Sequence, residues 1–240
     1  MDSTRIGELL GPFLSAPLTE FQLQQISIYI DLLLRWNSRV NLTAIRSPDE
    51  IVTRHFGESF FAARHLLPAE EDRDPASHAQ TPTTNSLPGQ VPAAPHTKAP
   101  SLLTKAIDLG SGAGFPGIPL KIWSPATPLT LIESNHKKDA FLRETIRALT
   151  LTAIDVFPGR AEDYPAASAE LVTLRAVEHF ASVLPIAVRL LTPGGRLALL
   201  VGQSQVEQAQ ALFPDLHWAF SQSIPQSASR VLLSGLVPEK

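Results

Sequence analysis

The first part of the chain places apolar residues at the spacing of amphipathic helices. Apolar side chains recur every three or four positions over residues 6–14, and Pro17 interrupts that stripe. Thr19 and Gln22 then have the spacing of a capping box, and the same apolar period follows them. This pattern predicts two helices, of which the second reaches about Asn37.

A third helix is predicted to begin at Ser47-Pro48-Asp49-Glu50. The serine can cap the helix, proline suits the first helical position, and the glutamate is placed to complete a capping box. Its apolar spacing continues to about Leu66. Residues 1–68 are therefore predicted to form an N-terminal helical segment.

The pattern is lost over residues 69–101. This stretch has six prolines, with Leu87 and Val91 as its only large apolar residues. Such a composition buries too little apolar surface to offset the entropy cost of ordering the chain. We interpret it as a disordered surface insertion.

From residue 102 onward, short apolar runs alternate with amphipathic stretches such as residues 136–149. This alternation predicts a mostly parallel sheet with helices on both faces, which is an α/β fold. Two further runs, 217–224 and 229–236, lie close together and predict a closing hairpin with an antiparallel last strand. The predicted parallel strands are residues 102–109, 129–133, 154–157, 171–174 and 196–201.

Composition narrows the classes of protein. The 240 residues are 44% apolar, carry a formal charge of −3 and include no cysteine. Disulfides, thiolate metal sites and cysteine nucleophiles are therefore excluded. The start of the chain does not resemble an export signal, and no apolar run is long enough to span a bilayer. We expect a cytoplasmic protein with no membrane and no metal.

A glycine-rich turn follows the first predicted strand. Asp108, Gly110, Gly112 and Gly114 form the pattern D-x-G-x-G-x-G. A dinucleotide fingerprint would need a further glycine where Phe115 stands, which disfavours a nicotinamide-dependent oxidoreductase. The pattern instead resembles motif I of Rossmann-like methyltransferases, although a plain structural turn remains the alternative.

Two later positions extend this candidate site. Glu133 ends the second strand, where an acidic side chain can accept both ribose hydroxyls of an adenosyl group. The alternative for Glu133 is a charge at the start of the following helix. Ala161 and Glu162 follow the third strand, where a loop can contact an adenine edge.

A wider set of motifs resembles the bacterial small-subunit ribosomal RNA methyltransferase family called RsmG or GidB. The matches extend over nearly the whole chain outside the insertion and the tail. They are Trp36-Asn37, residues 41–45 (NLTAI), His55 with Glu58-Ser59, residues 107–120 (IDLGSGAGFPGIPL), Glu133-Ser134, Lys137-Lys138, Phe141-Leu142, Arg175-Ala176-Val177 and residues 191–196 (LTPGGR).

The resemblance implies a class I S-adenosyl-L-methionine-dependent methyltransferase domain over residues 102–240, with a seven-stranded sheet. Its implied reaction is transfer of a methyl group to N7 of guanine 527 in 16S rRNA, either free or in the 30S particle. A monomer is expected. The cofactor contacts carried over from the family are Gly110, Phe115, Ala161, Glu162 and Arg175. No catalytic residue is assigned, and Arg175 is the positioning candidate.

The chain departs from the family pattern at three places. It has Glu58 where the family usually has aspartate, Leu174 where the family has serine, and Val201 where the family has lysine. The family resemblance implies that a lysine at the last of these positions contacts phosphate or substrate, so Val201 changes how the RNA would be held.

Several polar residues have both a functional and a structural interpretation. We expect His55, Glu58 and Ser59 to form hydrogen-bonded packing, and Asn37 and Asn41 to cap the end of a helix. Arg175 could instead pair with Glu178, and Trp36 could stack on a base or belong to the core. The candidate RNA contacts, each of which could be an ordinary solvated charge, are Arg35, Arg39, Arg46, Arg54, Lys137 and Lys138.

The implied target is consistent with the residues that the sequence lacks. Guanine N7 carries a lone pair and no proton, so its methylation needs alignment more than a general base. Missing cysteine excludes the covalent route to a pyrimidine C5. The alternatives are a methyltransferase for another RNA, a protein or a small molecule, and a non-catalytic RNA chaperone.

Deleting residues 72–98 is expected to leave methyl transfer and thermal stability largely unchanged, because this stretch has no apolar core of its own. Activity and unfolding of the deletion variant, measured beside the full chain, check this. Lost activity in a variant that still folds would assign the insertion a part in substrate binding.

Overall fold

The computed structural model describes residues 1–67, 105–175 and 179–239. The predicted insertion, 69–101, lies outside the described residues, and its interpretation stays a prediction. The N-terminal helices are α1 (Ser3–Leu10), α2 (Glu20–Asn37), α3 (Pro48–Glu50) and α4 (Glu58–Leu66). A 3-10 turn, Gly11–Phe13, follows α1, and a π-helical segment, Ile51–Gly57, joins α3 to α4.

One of the two predicted capping boxes is present. Thr19 and Gln22 cap each other's backbone at the start of α2, as predicted. At Ser47 the predicted helix start is confirmed, with Pro48 as the first helical residue, but the capping box is absent because the Ser47 side chain makes no capping hydrogen bond. Asp49, in that first turn, accepts a hydrogen bond from Arg5 of α1 at 2.7 Å, which forms an exposed ion pair between the two helices.

The strands are β1 (Ala106–Leu109), β2 (Leu129–Ile132), β3 (Ile154–Phe157), β4 (Ala169–Arg175), β5 (Leu191–Gly202), β6 (His217–Trp218), β7 (Gln222–Ser223) and β8 (Arg230–Leu236). Their order is β3-β2-β1-β4-β5-β8-β6, with β7 also paired to β8. Strands β1 to β5 are parallel, and β8 is antiparallel to β5. The predicted α/β class and antiparallel last strand are confirmed.

The strand count and some boundaries differ from the prediction. The predicted strand over 217–224 is broken into β6 and β7, which both pair with β8, so the sheet has eight strands instead of seven. The first strand begins at Ala106, and residues 102–104 lie outside the described residues. Strand β5 begins at Leu191, earlier than predicted.

Two apolar cores lie on opposite faces of the sheet, because side chains alternate along each strand. On one face, Ala106 and Leu131 belong to the same buried cluster as Ile30 and Phe56 of the N-terminal helical layer. On the other face, Ile107 packs in a second cluster with residues of α7 (Phe180–Leu190) and α8 (Ser204–Leu212). The N-terminal segment therefore has no core separate from the sheet.

Two further helices join the layer under the N-terminal segment, namely α5 (Gly117–Trp123) and α6 (His136–Ala148). Trp36 packs edge-on against Phe141 of α6 and donates to Glu144 at 3.1 Å, which confirms its structural interpretation. Asn37 accepts from the backbone of Leu42 at 2.9 Å and so holds the turn after α2, as expected.

Helix α5 buries a lysine. The Lys121 side chain is 2% exposed, and its ammonium donates to the carbonyls of Thr127 at 2.6 Å and Ala153 at 3.1 Å. Burial lowers the pKa of Lys121 from 10.5 to about 8. The charged form is therefore less favourable in the folded protein than in the unfolded chain.

Between pH 8 and pH 10.5 the folded protein is expected to gain roughly 1–3 kcal/mol of stability relative to the Lys121→Met variant. In this window the unfolded chain binds more protons at Lys121 than the folded one, so stability rises with pH. Urea unfolding of both proteins at pH 8 and at pH 10.5 measures the change in the free energy of unfolding. Equal slopes for the two proteins would contradict the pKa direction.

Candidate cofactor and substrate site

The glycine-rich turn follows β1 at the carboxyl edge of the parallel strands. Gly110, Gly112 and Gly114 have φ values of +69°, +57° and +84°, in the left-handed region. Backbone amides of Gly110 and Ser111 both donate to the carbonyl of Ile132 at the end of β2. The turn is thus tied to the neighbouring strand in a conformation that side chains disfavour.

Tyr29 of α2 packs against this turn from the side of the N-terminal helices. Its hydroxyl donates to the carbonyl of Ala113, and its ring stacks on Phe115 with 5.2 Å between centroids and 4° between planes. A Cβ at Gly114 would overlap the Tyr29 hydroxyl and lie 2.7 Å from Ile118. Glycine is therefore required at 114 by packing as well as by φ. Sequence patterns gave no signal for the role of Tyr29.

Asp108 lies beneath the turn, on the face that packs against the N-terminal helices. Its carboxylate accepts from the Thr173 hydroxyl at 2.8 Å and from the Gly117 amide at 3.1 Å, and it is 1% exposed. Burial raises the pKa of Asp108 to about 6, against these hydrogen bonds, which lower it. Asp108 fixes the two ends of the turn from inside the protein.

Glu133 joins the turn to the loop after β2. One carboxylate oxygen accepts from the Gly112 amide at 2.9 Å, and the other accepts from the Asn135 amide at 2.7 Å. Asn135, and not Glu133, caps α6 through its side chain. A carboxylate offers about four acceptor positions, so Glu133 keeps capacity for further donors.

A cavity of about 670 Å³ opens beside the turn, within the usual size of ligand sites. It brings together four of the predicted cofactor residues: Gly110, Glu133, Ala161 and Glu162. Sequence reasoning missed His179, which also lines it and has a φ of +55°, an uncommon conformation for histidine. The remaining lining residues are Leu109, Ile132, Ser134, Lys138, Gly159, Arg160, Val183 and Ile186.

The other predicted cofactor residues lie around the turn, not on this cavity's lining. Phe115 is buried between Tyr29 and His55, whose ring centroid is 4.8 Å from its own. His55 lies 2.7 Å from the Thr43 hydroxyl, and burial, together with nearby arginines, lowers its pKa to about 3. Gly112, Gly114 and Asp108 shape the turn that borders the cavity.

Arg175 ends β4 and binds Glu58 from α4. Its guanidinium donates to one Glu58 oxygen at 3.0 and 3.2 Å and to the Arg54 carbonyl at 2.8 Å. The alternative partner, Glu178, lies outside the described residues. Ser59 donates to the His55 carbonyl at 2.7 Å, so the expected hydrogen-bonded packing of His55, Glu58 and Ser59 is confirmed.

The candidate RNA contacts lie mainly on the surface. Arg35, Arg39, Arg46, Arg54 and Lys137 are exposed, and Lys138 is half-buried on the cavity wall. Within residues 1–67, 105–175 and 179–239, no cluster of three metal-ligating side chains occurs. None of the helices in those ranges is long and apolar enough to cross a membrane.

Gly114→Ala is expected to destabilise the protein by about 2–4 kcal/mol, because the added methyl meets Tyr29 at a strained φ. Tyr29→Phe removes the hydroxyl that the added methyl would meet. In that background Gly114→Ala should lower the free energy of unfolding by less than it does in the wild type. Urea unfolding of the four proteins in this double-mutant cycle measures the coupling.

Gly112→Ala is the matched control. Apart from its two chain neighbours, the nearest described atom to its Cβ would be the Gly110 carbonyl oxygen at 3.8 Å, so the strained φ accounts for the loss of stability, about 1–2 kcal/mol. Equal losses for the two alanine variants would show that Tyr29 does not constrain the turn.

Comparison with known proteins identifies the family. A 35% identical protein from Chloroflexus aggregans, aligned over 84% of this chain and 73% of its own length, is named ribosomal RNA small subunit methyltransferase G. A 37% identical protein from Xanthomonas campestris, aligned over 77% of this chain and 71% of its own length, has the same name. A solved structure, that of M. jannaschii TYW2 in complex with AdoMet, is 18% identical and covers 57% of this chain and 69% of its own, with a TM-score of 0.48.

The family model for rRNA small subunit methyltransferase G matches residues 22–73 and 91–231. The residues that it skips, 74–90, fall within the predicted insertion. The match confirms the resemblance seen in the motifs, together with the methyltransferase class and the S-adenosyl-L-methionine cofactor expected from it. The chain belongs to the rRNA small subunit methyltransferase G family.

Proposed function

We propose that this protein transfers the methyl group of S-adenosyl-L-methionine to N7 of guanine 527 in 16S rRNA. The family assignment supports methyl transfer to RNA of the small ribosomal subunit. The N7 atom and the position in the RNA come from the motif resemblance. A cytoplasmic monomer acting on ribosomal particles or their RNA agrees with this proposal.

The observation that carries the proposal is the position of the Glu133 carboxylate. It lies at the cavity end formed by the glycine-rich turn, held there by Gly112 and Asn135. In this position its remaining acceptor capacity suits the two ribose hydroxyls of the cofactor. Ala161 and Glu162, further along the wall, are proposed to contact the adenine.

The reaction needs orientation more than proton transfer. Bound S-adenosyl-L-methionine supplies an electrophilic methyl group on a sulfonium, and guanine N7 has no proton to lose. His55 is buried and engaged with Thr43, and its low pKa keeps it neutral. We therefore propose that the protein acts by aligning the two reactants and excluding water.

The sheet order separates two parts of the site. Glu133 and Ala161 follow β2 and β3, on one side of β1, whereas Arg175 ends β4 on the other side. Strand order reverses between β1 and β4, where ligands of such sheets bind. We place the adenosyl group over the β1–β3 half and the target guanine over the β4 half, near Arg175.

Lys138, which lines the cavity, and its neighbour Lys137 are proposed to contact an anionic partner. Lys137 and Lys138 stand in the first turn of α6, where the helix dipole disfavours positive charge. RNA phosphates would compensate that cost. Arg35, Arg39 and Arg46, at the end of α2 and after it, are proposed to contact more distant parts of the RNA.

Incubation with labelled S-adenosyl-L-methionine and unmethylated 30S particles or 16S rRNA tests the proposal. We expect label in the RNA and strand cleavage specific for 7-methylguanosine at position 527. Label at another atom or nucleotide would overturn the N7 assignment. Label confined to a protein or small molecule would overturn the RNA substrate.

Glu133→Gln is expected to weaken S-adenosyl-L-methionine binding by roughly tenfold or more, because it removes charge-assisted acceptance of the ribose hydroxyls. Calorimetry measures the affinity, with Glu207→Gln on the exposed surface of α8 as the control. Unchanged affinity in a folded Glu133→Gln protein would move the ribose site elsewhere.

A further inference from the structure

Three arginines from different parts of the chain surround one buried carboxylate. The Glu58 side chain is 2% exposed. Its carboxylate oxygens lie 3.0 Å from a guanidinium nitrogen of Arg175, 2.9 Å from one of Arg230 and 3.8 Å from one of Arg54. Arg54 comes from the π-helical segment, Arg175 from β4 and Arg230 from β8. We call Arg54, Arg175 and Arg230 the arginine cluster.

The arginine cluster has two positive charges in excess of its carboxylate. Arginine stays charged at every physiological pH. The adjacent His55 is neutral, so it neither adds to nor offsets this charge. Burial lowers the pKa of Arg175, and Arg54 and Arg230 lower it further. An anion beside the cluster would relieve that repulsion.

The members of the cluster differ in the donors that they leave for a ligand. Arg175 is only 10% exposed and donates to Glu58 and to the Arg54 carbonyl. Arg230 is 21% exposed and donates to Glu58 and to the Leu200 carbonyl. The Arg54 side chain is 56% exposed and, within the described residues, makes only the long ion pair with Glu58. Arg54 and the outer edge of Arg230 therefore face outward.

The cluster lies at the edge of the sheet that we assign to the substrate. Arg175 ends β4, Arg230 pairs with Gly202 at the end of β5, and the Arg175 guanidinium is 6.0 Å from the Phe115 ring of the glycine-rich turn. An anion bound here would stand beside the substrate half of the site. In an RNA substrate the available anion is a backbone phosphate.

We propose that Arg54 and Arg230 form a binding site for a phosphodiester of the RNA strand next to the target nucleotide. Glu58 holds the Arg230 guanidinium by a hydrogen bond and lies 3.8 Å from that of Arg54, and the forked donors of the two arginines match phosphate oxygens. The contact fixes the strand without reading its sequence. The identity of the anion as RNA rests on the proposed function.

Salt dependence of RNA binding tests the site. Fluorescence anisotropy can report the binding of two labelled RNAs, an unmethylated 16S rRNA fragment and a single-stranded polyuridylate, to the wild type and to Arg54→Gln at several salt concentrations. One lost phosphate contact is expected to weaken binding of both RNAs about five- to tenfold and to lower the slope of log K against log salt by about 0.7. S-adenosyl-L-methionine affinity, measured by calorimetry, should stay within twofold.

Two variants sharpen the result. Arg64→Gln removes an arginine ten positions further along the same helical stretch, roughly 15 Å away, and should keep the wild-type slope. Arg230→Gln should reproduce the Arg54→Gln slope, and urea unfolding checks that each variant is folded.

The outcomes separate this proposal from the function on which it rests. If Arg54→Gln binds both RNAs with the wild-type affinity and slope, the phosphate site is refuted, whatever the methylation assay shows. A lowered slope on polyuridylate, without methylation of 16S rRNA, would retain the phosphate site and refute the proposed substrate.

Discussion

The contact between Tyr29 and the glycine-rich turn is the constraint on which the site depends. A helix near the start of the chain places a phenol under a turn 84 residues later, and the phenol binds the Ala113 carbonyl and stacks on Phe115. The N-terminal layer therefore supports the shape of the turn, together with the bonds that the turn makes to Ile132, Asp108 and Glu133. This coupling explains why those helices share one core with the sheet instead of forming a separate domain.

A second contact, the hydrogen bond from Arg175 to Glu58, joins α4 of the same helical layer to the carboxyl end of β4. Between them, the two contacts hold the carboxyl ends of β1 and β4 against one rigid layer. Reactions that rely on alignment lose rate when reacting groups shift by about 1 Å. A fixed edge is thus what the proposed chemistry requires of the fold.

Local signals allowed much of this site to be predicted from the sequence. The glycine spacing and the acidic residue at the end of β2 lie within short segments, and both Gly110 and Glu133 border the cavity as expected. The capping box at Thr19 is equally local. Tyr29 and Arg230 were missed because their partners are 84 and 172 residues away, and no spacing rule reports such pairs. The break between β6 and β7 was missed because both halves continue the same alternation.

Val201, where the family resemblance would place lysine, lies on the opposite face of the sheet from the arginine cluster. Val201 is 4% exposed and packs in the apolar core under α7 and α8, so a charged side chain there would have to reach out past that core. Arg230, directly across from Gly202 on β8, places its guanidinium near the same strand end and bonds to Leu200. Positive charge at this edge is thus supplied from the antiparallel strand, and Glu58, one methylene longer than aspartate, is long enough to bind Arg230 as well as Arg175. Glu58, Arg175 and Arg230 therefore form one electrostatic unit on the face of the sheet that packs against the N-terminal helices, opposite the face that holds the Val201 side chain.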